Sequence, residues 1–150
     1  MTTGVVTGTM TSASATVLSY MEPLALQGKV DLAYNNDSSA YAMNFQTYLG
    51  YRALLSTTGQ PLWPEAEARA GILHGRKYVI ANDIPAFGTT GTKYLVYGDF
   101  SKVLWRTAGP MSVFRFQELF MNNLQQGFQA YQRVASKVIQ PSALAILKAA

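Results

Sequence analysis

The segment Lys93–Tyr97 (KYLVY) constrains the fold of this chain more than any other stretch of its sequence. Its apolar residues do not alternate with polar ones, so both faces of the strand that it predicts must be covered. We therefore expect a domain built around a sheet in which Lys93–Tyr97 is a buried strand. Ala40–Met43 is a short apolar run that predicts a strand. Arg76–Ala81, which is apolar at Tyr78-Val79-Ile80, predicts another, and we expect it to neighbour Lys93–Tyr97.

Two helices are predicted beside this sheet. Apolar residues at helical spacing favour a helix near 14–22, which Pro23 is expected to end or kink. A second helix is predicted near 44–56, with Asn44 as its N-cap and Thr58-Gly59 as its end.

The C-terminal third predicts further strands. Val103–Arg106 and Met111–Phe116 flank an expected turn at Ala108-Gly109-Pro110. The sequence of Asn122–Arg133 is compatible with a long, half-buried strand, in which successive side chains point to opposite faces. A helix is the alternative there, but Gly127 argues against it.

These elements together predict an α+β domain with a central mixed sheet flanked by helices. Residues 1–16 are rich in Thr, Ser and Gly, and we expect them to form a flexible lead-in. Residues 17–150 contain no clear linker and no internal repeat, and 150 residues is the size of one ordinary domain. We therefore expect a single domain over 17–150.

Charged residues make up only 13% of the chain, so much of its surface is uncharged. Soluble monomers usually carry more charge, which favours a surface that is partly covered by a partner. The formal net charge is +4, and the basic residues are scattered along the chain without a run of three. This distribution gives little support to a dedicated nucleic-acid site. No apolar run approaches the length of a membrane helix.

Residues for enzyme chemistry are scarce. The chain has no cysteine, and His74 is its only histidine, next to a glycine in a predicted turn. Asp83 and Asp99 each follow a predicted strand, where catalytic carboxylates often lie. We expect instead that Asp83 starts a turn and that Asp99 caps a helical turn at Phe100–Lys102. We predict no catalytic, cofactor-binding or metal-binding residue.

Several short motifs are spread over nearly the whole chain. In chain order they are Gly4-Val-Val-Thr-Gly8, Tyr41-Ala-Met43-Asn44, Leu73-His-Gly75 with Tyr78-Val79-Ile80, Gly98-Asp99-Phe100, Arg106, Arg133 and Pro141-Ser-Ala143. Each motif is short, but their order resembles the C-terminal part of the major capsid proteins of tailed bacteriophages of the Hong Kong 97 type. One departure is Lys77, where the family usually has proline.

The resemblance implies a structural protein that self-associates into an icosahedral shell. It implies an axial domain followed by the last strands of a peripheral domain, without the N-terminal arm, extended loop and spine helix of the family. Implied partners are other copies of the subunit, scaffold or portal proteins, and packaged DNA bound non-specifically. The implied location is the virion, after synthesis in the host cytoplasm. Candidate residues for subunit contacts are Trp63, Phe87, Arg106 and Arg133.

Two other classes of function remain open at this point. An oligomeric binding module with weak, non-specific affinity for nucleic acid predicts basic residues gathered on one face. A small enzyme predicts a pocket in which Asp83, Asp99 or His74 converge.

Overall fold

The computed structural model describes residues 8–14, 16–116, 123 and 125–150. Six strands of this part of the chain form one sheet, and two long strands, β6 and β7, form a separate two-stranded ribbon. The strands are β1 (Gly8–Thr11), β2 (Ser39–Met43), β3 (Ile72–Leu73), β4 (Arg76–Ile80), β5 (Lys93–Asp99), β6 (Val103–Phe116), β7 (Gly127–Val138) and β8 (Leu144–Lys148). The helices are α1 (Glu22–Gln27), α2 (Phe45–Arg52) and α3 (Glu65–Arg69).

The six-stranded sheet has the order β1-β8-β5-β2-β4-β3. β5 pairs antiparallel with β2 and β8, and β3 pairs antiparallel with β4. The pairs β1–β8 and β2–β4 are parallel, so the sheet is mixed. The α+β fold with a central mixed sheet is therefore confirmed.

The interior position predicted for Lys93–Tyr97 is also confirmed. Tyr94, Leu95 and Tyr97 of β5 have no exposed surface and contribute to both sides of the core. Apolar burial of this kind is the main favourable contribution to folding, at about 25 cal/mol per Å². The rest of the core comes from the neighbouring strands, the helices and the loops, and includes Leu26, Tyr41, Met43, Tyr51, Trp63, Leu73, Ala145 and Leu147.

The predicted adjacency of Arg76–Ala81 and Lys93–Tyr97 is wrong. β2 lies between the two strands, parallel to β4 and antiparallel to β5. Adjacency of consecutive strands is only a tendency, and here the earlier strand enters between the two later ones. As a result, β4 and β5 run in opposite directions and end at opposite ends of the sheet.

The helix predicted near 14–22 is wrong in position. α1 begins at Glu22, with Pro23 in its first turn. Ahead of it, Ser14 Oγ accepts hydrogen bonds from the backbone N–H groups two and three residues further on, which closes a polar turn. Because proline has a helical φ and no N–H, it suits the first turn of a helix, and Pro23 lies at the start of this one instead of ending it.

The second predicted helix is confirmed, with a shorter span. Asn44 Oδ1 accepts a 2.9 Å hydrogen bond from the N–H of Gln46, as the N-cap prediction requires. α2 ends at Arg52, well before Thr58-Gly59. The short helix α3 has no counterpart among the predictions. In the described part of the chain, no helix is long and apolar enough to cross a membrane.

The predicted lead-in over 1–16 is corrected at its second half. Gly8–Thr11 forms β1, an edge strand in register with Ala145–Lys148 of β8. The N–H of Ser12 continues this ladder with a 2.7 Å bond to the carbonyl of Lys148. Polar residues are tolerated here because an edge strand leaves part of its surface in water. Residues 1–7, which include most of the Gly4–Gly8 motif, lie outside the described residues.

The ribbon corrects the prediction for the C-terminal third. Val103–Phe116 is one strand, and the expected turn at Ala108-Gly109-Pro110 is an irregularity in its pairing with β7, with φ of 80° at Gly109. The strand predicted at Asn122–Arg133 exists but runs from Gly127 to Val138, and Asn122 lies outside the described residues. β7 is exposed along nearly its whole length, not half-buried.

Candidate functional site

The only histidine lies in a tight hairpin turn between β3 and β4. His74 and Gly75 both have positive φ, 48° and 75°, as the turn between Leu73 and Arg76 requires. His74 Nε2 is 2.9 Å from the carbonyl oxygen of Tyr20, and the two rings pack with centroids 4.3 Å apart. The imidazole therefore joins the β3–β4 turn to the segment before α1.

The two carboxylates that follow strands serve local structure. Asp99 is buried and accepts a 2.9 Å hydrogen bond from the N–H of Ser101, capping the 3₁₀ turn Phe100–Lys102 as predicted. This hydrogen bonding by Ser101 lowers the pKa of the Asp99 carboxyl. Asp83 lies in an exposed turn closed by a 3.2 Å bond from the N–H of Ile84 to the carbonyl of Ala81.

These three residues do not meet in one site. Asp83 follows β4 and Asp99 ends β5, and the two strands run in opposite directions with β2 between them. His74 precedes β4, away from Asp83. Among the residues described, no group of three or more histidines and carboxylates is close enough to hold a metal ion. The arrangement therefore offers no converging acid, base and nucleophile.

Two of the four candidate contact residues are used inside the domain. Trp63 has 1% of its surface exposed, and its indole Nε1 donates a 3.0 Å hydrogen bond to the carbonyl of Ile72. Phe87 is half-buried and packs edge-on against Tyr94 with ring centroids 4.8 Å apart. Trp63 therefore has almost no surface to offer a second subunit, which corrects its place among the candidates.

The other two candidates lie on one face of the ribbon. Arg106 is directly opposite Ala135, and Arg133 is directly opposite Ala108. Side chains alternate between the faces of a strand, so these two pairs, two positions apart, project from the same face. Lys137, opposite Leu104, belongs to it as well. Diagonal neighbours on a ladder are about 7–8 Å apart, which places Arg133 and Lys137 on either side of Arg106.

Two aromatic rings continue this face beyond the irregularity in β6. Phe114 and Tyr131 stack with an angle of 3° between their planes and a centroid distance of 5.7 Å. Both side chains are about half exposed. We call the surface formed by Arg106, Phe114, Tyr131, Arg133 and Lys137 the basic face.

The opposite side of the ribbon is mainly apolar. Trp105 and Phe128 are 70% and 69% exposed, and Val113 and Val134 are also exposed. Arg115, opposite Phe128, is the cation on this side. We call the surface formed by Trp105, Val113, Phe128 and Val134 the apolar face. A two-stranded ribbon is marginally stable in water by itself, so exposed apolar side chains of this size indicate a surface that another protein segment covers.

The ribbon is anchored where the Gly98-Asp99-Phe100 motif lies. Gly98 has φ of 145°, and a Cβ placed on it would overlap the carbonyl oxygen of Ala143. Glycine is therefore required where β5 passes the start of β8. Asp99 then caps the turn into β6, and the N–H of Ile139 donates a 2.9 Å bond to the carbonyl of Lys102 at the base of the ribbon. The motif sets the position from which the ribbon leaves the sheet.

Sequence reasoning missed the gathering of positive charge. Arg106 and Arg133 are far apart in the chain and have no basic neighbour in sequence, so a search for basic runs does not detect them. What reveals them is the alternation of side chains between the two faces of each strand, combined with the pairing of the two strands. Basic residues on one face are the feature expected of a nucleic-acid-binding module.

Comparison with known proteins adds a family and a set of similar structures. The model of the phage capsid family matches residues 1–149. A comparison with curated protein sequences finds no match.

The solved structures are similar in fold. The capsid of an empty GTA particle is 22% identical with a TM-score of 0.79, covering 95% of this chain and 50% of that chain. The capsid of a native GTA particle is 22% identical with a TM-score of 0.75, covering 95% and 54%. A chain from Gordonia phage Cozz is 14% identical with a TM-score of 0.66, covering 95% and 50%.

The chain thus spans about half the length of the solved chains that it matches. Its mixed sheet with few helices is the fold that these capsid chains share with it. The family match extends from the first residue to the last but one. This chain belongs to the phage capsid family.

Proposed function

We propose that this chain is the C-terminal part of a major capsid subunit, which associates with other copies to form the shell of a phage or prophage head. The observation that carries the proposal is the apolar face of the ribbon. Trp105 and Phe128 are more than two-thirds exposed there, within a domain whose own core is complete without them. Together with membership of the phage capsid family, such a surface supports a subunit that is covered by protein in its assembled state.

The two parts of the structure have different roles in this proposal. The six-stranded sheet with its helices is the axial domain, and the ribbon is the last pair of strands of the peripheral domain. The sheet has its own buried core, whereas the ribbon has exposed side chains on both faces. This contrast supports a sheet domain that is stable by itself and a projecting ribbon that must be covered by partners.

The proposed partners are first of all other copies of the subunit. Arg106 and Arg133 remain candidates for contacts between copies, and Phe87 stays one with the exposed part of its surface. Arginines and aromatic side chains are enriched at the centres of protein interfaces. Scaffold or portal proteins and non-specifically bound DNA are further proposed partners. The proposed location is the virion, after synthesis in the cytoplasm of the host.

The proposed role is structural and not enzymatic. The candidate groups for catalysis are each used locally: His74 in a hairpin turn, Asp99 as a cap and Asp83 in an exposed turn. A low charged fraction of 13% and many uncharged polar residues suit repeated, individually weak contacts between identical subunits.

Sedimentation velocity over a range of concentrations tests the proposal. We expect a monomer at low micromolar concentration and reversible self-association at higher concentration, because flank contacts of small area hold only weakly. Trp105→Glu should abolish this association by placing a charge on the apolar face. The matched control is Leu32→Glu, since Leu32 is 87% exposed but lies outside the ribbon.

Two results would contradict the proposal. One is a strict monomer at every concentration for the unchanged chain. The other is an equal loss of association in Trp105→Glu and Leu32→Glu, which would mean that added charge and not the apolar face governs association.

A further inference from the structure

We infer that the basic face of the ribbon binds single-stranded nucleic acid, with phosphates on Arg106, Arg133 and Lys137 and bases on the paired rings of Phe114 and Tyr131. The inference does not depend on shell formation, because the apolar face lies on the other side of the ribbon. Neither interaction requires a particular base sequence.

The three cations have no counter-charge on the ribbon. The strands Val103–Phe116 and Gly127–Val138 contain four basic residues and no Asp or Glu. Within the described part of the chain, the two ion pairs, Arg69–Glu65 and Arg76–Asp37, lie elsewhere. Uncompensated cations on one exposed face attract a polyanion and gain affinity by releasing its counterions.

The neighbours of the two arginines leave room for a ligand. Ala135 lies opposite Arg106, and Ala108 lies opposite Arg133. An alanine across the ladder neither covers the guanidinium nor competes for its hydrogen bonds. Each arginine can therefore turn its planar fork of donors towards a phosphate.

The ring pair supplies the second half of the site. Phe114 and Tyr131 lie on the same face as the cations, are parallel to within 3° and are about half exposed. Proteins that bind single strands without sequence preference combine two features. Cations contact the phosphate backbone of the nucleic acid, and aromatic rings beside them stack on its bases. A duplex keeps its bases stacked on each other and cannot use the rings in this way.

A second copy of this chain is a poorer fit as the anion. Its Glu22 and Asp99 are buried, and its Asp37 and Glu65 are paired with arginines. Its other carboxylates in residues 8–102, those of Asp31, Glu67 and Asp83, are spread along the chain. Residues 8–102 contain as many basic as acidic residues, so the sheet domain has no net negative charge to match the ribbon. The chain's net charge of +4 equals the charge of the four ribbon cations. The matching anion is therefore expected to come from outside the chain.

Fluorescence anisotropy of a labelled oligothymidylate of about 15 nucleotides, titrated with the 150-residue chain, tests the inference. We expect a dissociation constant of about 10⁻⁴–10⁻⁶ M, with a logarithmic salt slope of about −2 for three phosphate contacts on a single strand. The double variant Arg106→Ser/Arg133→Ser should bind at least about tenfold more weakly and flatten the slope to about −0.7.

Matched controls separate the face from the overall charge. Arg115→Ser removes one cation from the opposite side of the ribbon and should leave binding within about twofold. Tyr131→Leu should weaken binding of the single strand at least about fivefold and leave binding of a duplex of equal length unchanged. Phe128→Leu, the aromatic control on the apolar face, should have no effect. Circular dichroism checks that each variant stays folded.

Three outcomes would overturn the inference. The first is binding that the double arginine variant does not reduce beyond Arg115→Ser. The second is a duplex bound as tightly as the single strand, since the rings then play no part. The third is displacement of the oligonucleotide by poly-glutamate at equal charge, which would assign the face to an acidic protein segment. Loss of self-association in sedimentation bears on the proposed function and not on this result.

Discussion

The hydroxyl of Tyr94, on the central strand of the sheet, donates a 3.1 Å hydrogen bond to Oε2 of the buried carboxylate of Glu22 in the first helix. The other oxygen of Glu22 accepts a 2.9 Å bond from the N–H of Ala13. One carboxylate thus joins the segment after β1, the start of α1 and β5. A buried charge without a cation needs such donors, so each of them contributes strongly to stability.

Tyr94→Phe should therefore lower the free energy of unfolding by about 1.5–3 kcal/mol, because it leaves one carboxylate oxygen buried without its donor. Urea unfolding measures the change. Tyr131→Phe is the control, because this tyrosine is half exposed on the ribbon and should change stability by less than about 0.5 kcal/mol. In a double-mutant cycle with Glu22→Gln, the effects should be non-additive by at least about 0.5 kcal/mol. Additive effects would show that the bond contributes nothing.

Gly98→Ala should destabilise the domain by about 3 kcal/mol or more. The added Cβ would meet the backbone of Ala143 and Leu144, and the φ of 145° is itself strained for alanine. Gly59→Ala is the matched control, because Gly59 also has positive φ, 78°, but has open space around it. It should cost only about 1–2 kcal/mol of backbone strain. Equal losses in the two variants would contradict the close approach of β5 to β8.

Asn44→Asp should destabilise the protein by about 1 kcal/mol or more, although aspartate is as good an N-cap as asparagine. The amide of Asn44 also donates to the carbonyls of Ile84 at 2.7 Å and Asn82 at 3.1 Å. An aspartate carboxylate can still accept the N-cap hydrogen bond, but its second oxygen cannot donate to those two carbonyls and is repelled by them. Thermal unfolding of Asn44→Asp beside Asn44→Ala measures both roles. A neutral Asn44→Asp would mean that only the cap matters.

The protein should lose stability above pH of about 10. Burial raises the pKa of Tyr41, Tyr51 and Tyr94 well above the usual value of about 10. Between the unfolded and the folded pKa values, the folded protein holds more protons than the unfolded chain, so stability falls as pH rises. Below the unfolded pKa this contribution is fully present.

Unfolding free energies measured by urea across this alkaline range check the prediction. Tyr41→Phe should reduce the slope of free energy against pH by one proton, even though it also lowers stability at neutral pH by removing a 2.8 Å bond to the carbonyl of Pro23. An unchanged slope would show that Tyr41 ionises equally well in the folded protein.

The parts of the fold that were predictable are those whose signal is local. Lys93–Tyr97 is apolar on both faces, which predicts a buried strand. Asn44 carries the side chain that an N-cap needs, so both features are predictable from a few neighbouring residues. The prediction of a helix near 14–22 was wrong, although the apolar residues there have helical spacing. The fixed φ of Pro23, which follows that segment, favours a helix that starts beside it, and α1 begins at Glu22.

The candidate site could not be predicted from any short stretch of the sequence, because it depends on which distant segments pack together. Trp63 is no more apolar than Trp105, yet one is buried and the other is exposed, because one packs against the sheet and the other stands on the ribbon. Arg106 and Arg133 form a common face only through the register of two strands far apart in the chain. The pairing of strands so far apart in the chain is determined by tertiary packing, and it cannot be predicted from either strand alone.

The position of β8 between β1 and β5 has a consequence for biosynthesis. β8 follows the other seven strands in the chain, yet it is an interior strand of the sheet. While the ribosome is still making residues up to Gln140, β1 has no partner and one side of β5 exposes an unpaired, apolar edge. Such edges recruit other strands, so the nascent chain passes through a stage in which premature pairing between neighbouring polypeptides competes with folding. Emergence of Leu144–Lys148 from the exit tunnel closes both edges at once, so the sheet is complete only after β8 has been made.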